Sequence, residues 1–113
     1  MSVPDPNTFS LDINDPEDAE LIEYFLGELP EKVDFINDAA DRVDLESLRR
    51  IAHQLKGAAP GFGFPSIGSA AKELEGRIRE LGESGEDISS VRAQIESLTS
   101  LCQSYISSNP FQK

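Results

Sequence analysis

Along most of this chain apolar residues recur at intervals of three and four, the period of an α-helix that buries one face, and no segment shows convincing strand alternation. That pattern restricts the chain to an all-α fold. Leu21, Ile22, Phe25, Leu29, Val33, Ile36 and Ala40 make a first stripe that keeps its phase through Pro30. The spacing predicts one long helix kinked near Pro30; two helices meeting there is the alternative, because proline removes a hydrogen bond and disfavours helix at Leu29. Leu48, Ile51, Ala52, Leu55, Ala59 and Phe62 form a second stripe, Ile67, Ala70, Ala71, Leu74, Ile78 and Leu81 a third, and Ile88, Val91, Ile95, Leu98, Leu101, Cys102, Tyr105 and Ile106 a fourth.

Start and stop signals frame these stripes. Asp15-Pro16-Glu17-Asp18 reads as a helix start, since Asp15 can accept from free backbone amides, Pro16 suits the first turn, and the acids complement the positive helix end. Asp44 is the expected cap of the second helix and Ser66 of the third, while Asp87 or Ser89 opens the fourth. Pro60, Gly61 and Gly63 mark the end of the second helix, Gly82 the stop of the third, and Asn109-Pro110 follows the fourth. Four amphipathic helices with short connections predict an antiparallel four-helix bundle over residues 15–108. A lead-in over residues 1–14, in which Phe9, Leu11 and Ile13 alternate with polar residues, is expected to rest extended on the core, and residues 109–113 form a short tail.

Composition narrows the function. The chain has 113 residues, enough for one core, and 10 basic against 21 acidic side chains give a net charge of −11. A nucleic acid is therefore repelled at long range, and none is expected as a partner. No apolar run approaches the ~20 residues that span a bilayer, the N-terminus lacks the features of a signal peptide, and a cytoplasmic protein is expected. One histidine and one cysteine exclude metal sites built from several of either, including a di-iron bundle with paired Glu-x-x-His motifs. Cys102 falls on an apolar stripe, where a buried, inert thiol is expected.

The one histidine, His53, lies roughly 140° around the helix from the centre of the second stripe and should face water. Arg49 and Arg50 precede it by four and three residues, Lys56 and Gly57 follow by three and four, and all four share its side of the helix. Such a cationic collar suits an imidazole that carries a phosphoryl group. Gly57 costs a helix ~1 kcal/mol relative to alanine, which points to a close approach by a partner there. On spacing alone a solvated helix face is the simpler account of these residues.

The motif changes that balance. Ala52-His53-Gln54-Leu55-Lys56-Gly57-Ala58-Ala59, with Gly63 ten residues after the histidine, resembles the histidine phosphotransfer (HPt) domain family of two-component phosphorelays, whose signature is His-x-Leu-Lys-Gly, two small residues and that later glycine. Leu74-Glu75 resembles the Leu-Glu pair of the family's next helix, and the acidic helix with Phe25-Leu26 and Leu29-Pro30 resembles its first long helix. The likeness extends over roughly residues 15–107. Ala58, where the family often has serine, and Pro60-Gly61 depart from the pattern without touching His53, Lys56 or Gly57.

The resemblance implies that His53 exchanges a phosphoryl group, through Nε2, with an aspartate of a response-regulator receiver domain. Lys56 would steady the phosphoryl oxygens, Gln54 would contribute a hydrogen bond nearby, and Gly57 would leave room for the receiver. Arg49, Arg50 and Phe64 are further candidates for the binding surface, with Phe62 assigned to the core. Partners would be a receiver domain, a hybrid histidine kinase, or both. No cofactor is expected on this chain: no Gly-rich phosphate loop or magnesium-binding Asp cluster is present, so magnesium belongs to the receiver. The chain would be a monomeric carrier without autonomous catalysis. A non-phosphorylated helical adaptor for receiver or kinase domains is the alternative, and the presence of His53 favours the carrier.

Overall fold

The structure is a computed structural model that describes residues 11, 12, 14–84 and 87–111. Of the expected lead-in only Leu11, Asp12 and Asn14 fall among them; Phe9 and Ile13 lie outside. The described residues form four α-helices, two short 3-10 turns and no strand: α1 (Pro16–Asp41), α2 (Leu45–Ala58), α3 (Pro65–Ser84) and α4 (Arg92–Ser107). Each helix packs on two others, α1 on α2 and α4, and α3 on α2 and α4, which closes a four-helix ring.

Two of the capping signals act as read. The Asp15 carboxylate accepts from the Glu17 and Asp18 amides at 2.9 and 3.4 Å. Asp44 accepts from the Ser47 amide at 3.1 Å and from its hydroxyl at 2.7 Å. Helix α1 runs unbroken through Pro30, which is exposed. The stripe carries the helix across the proline because Leu26, Leu29 and Val33 stay buried on either side, and their burial, at ~2 kcal/mol each, offsets one lost backbone hydrogen bond.

Other boundaries differ from the sequence reading. Helix α3 starts at Pro65, and Ser66 is not its cap: the Phe64 carbonyl accepts from the Ile67 and Gly68 amides, and the Ser66 hydroxyl pairs with the Tyr105 hydroxyl at 3.0 Å. Proline suits this first position because its missing N–H would be unpaired there anyway. Gly82 does not stop α3, which continues to Ser84; a single exposed glycine weakens a helix without ending it. Neither Asp87 nor Ser89 opens α4. A 3-10 turn over Ile88–Val91 precedes it, and the Asp87 side chain makes no capping bond.

The core runs the length of the bundle, with Leu29, Ile36, Leu48, Leu55, Leu74 and Leu98 fully enclosed. Cys102 is buried in it as expected. Leu21, read as part of the first stripe, is 44% exposed at its margin. In the tail, Phe111 returns to pack against the core.

The link from α2 to α3 positions the site. After Ala58 the chain tightens into a 3-10 turn, Ala59–Phe62, and Gly63 takes a left-handed conformation with φ 92°. A Cβ on Gly63 would stand 3.1 Å from the Leu11 amide nitrogen, so this glycine both makes the turn and seats the end of the lead-in. On α3, a Cβ on Gly68 would fall 2.8 Å from Cγ of Pro60, closer than packed atoms allow. The absent side chain lets α3 close on that turn and on the end of α2, and α2 with α3 is the most extensive helix pairing among the described residues.

Candidate functional site

His53 stands on the solvent side of α2, with its side chain 63% exposed, as its helical phase requires. Its Nδ1 lies 2.7 Å from Oε2 of Glu75, which reaches across from α3. The other oxygen of the same carboxylate, Oε1, takes an ion pair from the Lys56 ammonium at 2.7 Å. Arg79, one turn further along α3, places a guanidinium nitrogen 3.8 Å from Oε2. The Glu75 side chain is only 4% exposed, so the carboxylate forms a buried floor beneath an exposed imidazole.

Burial alone would push the Glu75 carboxyl upward. The hydrogen bond from Lys56 outweighs it and, with the bond from His53 and the charges of both, holds the carboxyl below its ordinary value. Glu75 is thus ionised at neutral pH and offers only acceptors. Its contact with His53 therefore requires Nδ1 to carry the proton. In the uncharged ring this leaves the lone pair on Nε2, the nitrogen not engaged by Glu75.

Helical geometry brings the pieces together. His53 and Lys56 lie three residues apart and share one face of α2, while Glu75 and Arg79 lie four apart on α3. The helices meet in a register that opposes His53 to Glu75, and Pro60, in the 3-10 turn that follows α2, lies against Gly68 of α3. The close approach permitted by Gly68 near one end of this interface helps bring Glu75 within bonding distance of α2.

Of the residues singled out from the sequence, Lys56 is linked to His53 through Glu75, each binding one oxygen of its carboxylate. Gly57 is exposed, and nothing lies within 4 Å of where its Cβ would be, so the approach beside the histidine is open. Gln54 is exposed and lines the groove between α1 and α2 with Tyr24, Lys32 and Phe62. The expected collar is built differently. Arg49 and Arg50 are exposed, Arg50 pairs with Glu46 at 3.4 Å, and neither shares the carboxylate that holds His53.

Phe64 does not belong to the binding surface. It is 6% exposed, with its ring centroid 5.0 Å from that of Phe25 and 4.9 Å from that of Tyr105. Phe62, expected in the core, is the partly exposed member of the pair and packs between Tyr24 and Phe25. The left-handed turn at Gly63 separates the two rings and turns only the second one inward.

Neither helical spacing nor the motif assigns Glu75 a role, and nothing in the sequence singles out Arg79. Glu75 did carry a signal: it sits four residues after Ala71 and three before Ile78, an acid on an otherwise apolar stripe. No group of three or more His, Cys, Asp or Glu side chains among the described residues is placed to hold a metal ion.

An exposed histidine on one helix of a four-helix bundle, held by a buried carboxylate from the next, defines a class, and the sequence comparison agrees with it. Residues 20–101 match the Hpt domain family, and the chain belongs to that family. Among curated proteins it is similar to the phosphorelay protein LuxU of Vibrio vulnificus, strains YJ016 and CMCP6. In each case the identity is 33% over 87 residues, covering 77% of this chain and 75% of the relative. No solved structure matches the chain.

Proposed function

We propose that this protein is a phosphorelay intermediate that carries a phosphoryl group on Nε2 of His53 and exchanges it with an aspartate of a response-regulator receiver domain. The observation that carries this reading is the 2.7 Å contact from Nδ1 of an exposed histidine to a buried, ionised carboxylate. It fixes the tautomer whose free lone pair is on Nε2, as an in-line attack on phosphorus requires. In that attack the Nε2–P bond forms, the P–O bond of the aspartyl phosphate breaks, and the aspartate leaves as its carboxylate. The proton stays on Nδ1, and Glu75 stabilises the imidazolium that results.

Within this reading Lys56 offsets charge on the phosphoryl oxygens, and the open surface over Gly57 admits the receiver. Gln54 contributes a hydrogen bond at the rim, and Arg49 and Arg50 supply positive potential to a docking partner. The chain acts as a monomeric carrier in the cytoplasm, without autonomous catalysis or a cofactor of its own, and magnesium is furnished by the receiver. No helix among the described residues is long and apolar enough to cross a membrane. Receiver and kinase domains are the partners that a phosphorelay role implies.

Incubation with a phosphorylated receiver tests the proposal. An acid-labile, alkali-stable adduct should form on the wild type and be lost in His53→Gln, with the helical circular dichroism spectrum unchanged. Equal labelling of the variant would place the acceptor elsewhere.

A further inference from the structure

Glu75 has more cationic partners than a carboxylate needs. Its two oxygens are each engaged at 2.7 Å, by His53 and Lys56, yet Arg79 stands by at 3.8 Å with its side chain 64% exposed. Arg79 is the one further cation within 4 Å of this carboxylate among the described residues. At that separation it makes no direct hydrogen bond, and in the unphosphorylated protein it adds little to an already satisfied group.

Phosphorylation changes the balance. A phosphoryl group on Nε2 brings about two negative charges to the face of α2 that also carries Lys56, three residues on. As the Lys56 ammonium is drawn toward the phosphoryl oxygens, its hold on Oε1 weakens. Glu75 is 4% exposed, and a buried carboxylate that loses a direct partner is strongly destabilising unless another cation replaces it. Arg79 needs to move by only about an ångström to make a direct pair.

We infer that Arg79 is a positioning residue for the phosphorylated state, closing on Glu75 as Lys56 turns from that carboxylate to the phosphoryl group. Glu75 then remains ionised, keeps Nδ1 of His53 protonated, and holds the phosphorylated ring in place. Arg79 need not touch the phosphoryl group, and its effect is confined to the loaded protein. This inference rests on the reading of His53 as phosphoryl acceptor.

The test compares stability with and without the phosphoryl group. Potassium phosphoramidate transfers its phosphoryl group directly to an imidazole and releases ammonia, so loading needs no receiver. Wild type, Arg79→Ala and Arg79→Lys are denatured in urea, before and after loading, in mildly alkaline buffer where phosphohistidine persists; phosphorus NMR reports the loaded fraction. Loaded Arg79→Ala should lose about fivefold in its folded-to-unfolded ratio relative to loaded wild type. The unloaded pair should agree closely, and Arg79→Lys should restore the loaded value. Equal losses in both states, no loss in either, or failure of lysine to restore stability would overturn the inference while leaving the carrier reading intact. A wild type that takes no phosphoryl group on His53 would overturn the carrier reading itself.

Discussion

Replacing Glu75 by glutamine changes almost no volume but removes the charge and one acceptor beneath His53. The carboxylate now accepts at both oxygens, from Nδ1 of His53 and from the Lys56 ammonium, each at 2.7 Å. An amide offers one oxygen and one NH2. The ammonium has donors only, so the amide oxygen must face Lys56, which turns the NH2 toward Nδ1. Nδ1 must then accept, the ring proton moves to Nε2, and the nucleophilic lone pair is lost, the same tautomer error that follows replacement of an orienting carboxylate in a catalytic triad. Restoring the reactive tautomer breaks that new bond at ~1 kcal/mol, and the imidazolium formed during transfer loses a charge-assisted bond worth ~2 kcal/mol. Together these slow transfer from a phosphorylated receiver by roughly a hundredfold. Rapid-quench kinetics measures that rate, nitrogen NMR of the ring reports the tautomer, and circular dichroism checks that the bundle persists. A Glu75→Gln variant that transfers within about threefold of wild type would refute the assignment of the tautomer to Glu75.

The same carboxyl gives the bundle a pH dependence of known sign. Because Lys56 and His53 hold it below its ordinary 4.5, the unfolded chain takes up the proton first. Its contribution to stability is whole above that value and is lost as pH falls through the lowered one; urea midpoints from this group that rise on acidification below 4.5 would contradict the linkage. Gly57→Gln should stabilise the exposed part of α2 by up to ~1 kcal/mol in thermal melts yet weaken receiver binding, by about tenfold in titration calorimetry, because the new side chain fills the open approach. Binding at wild-type strength would move the docking surface away from Gly57. Burial pushes the Cys102 thiol up to about 11, so a disulfide reagent should label it at the rate of protein opening; rapid labelling of the folded protein would show that the fourth stripe does not bury it.

What the sequence determined by itself is whatever one helix can specify alone. The spacing of Leu48, Ile51, Leu55 and their counterparts sets the buried faces, Asp15 and Asp44 set two helix starts, and the same arithmetic turns His53 outward and Cys102 inward. Helix ends were less legible where proline, glycine and serine crowd together. Start signals at Pro65 and Ser66 differ by one residue, and a 3-10 turn can take the place of a cap before α4. Tertiary structure decided which side chains meet. Phe62 and Phe64 are two residues apart and equally apolar, and only the left-handed turn at Gly63 and the packing of Phe25 and Tyr105 leave one partly exposed at the edge of the core and bury the other in it. Glu75 could be recognised as an acid on an apolar stripe, but not as the partner of His53. That pairing depends on the register and closeness of α2 and α3, set by packing such as Pro60 against the bare backbone of Gly68, and helical periodicity carries no information about the register between helices.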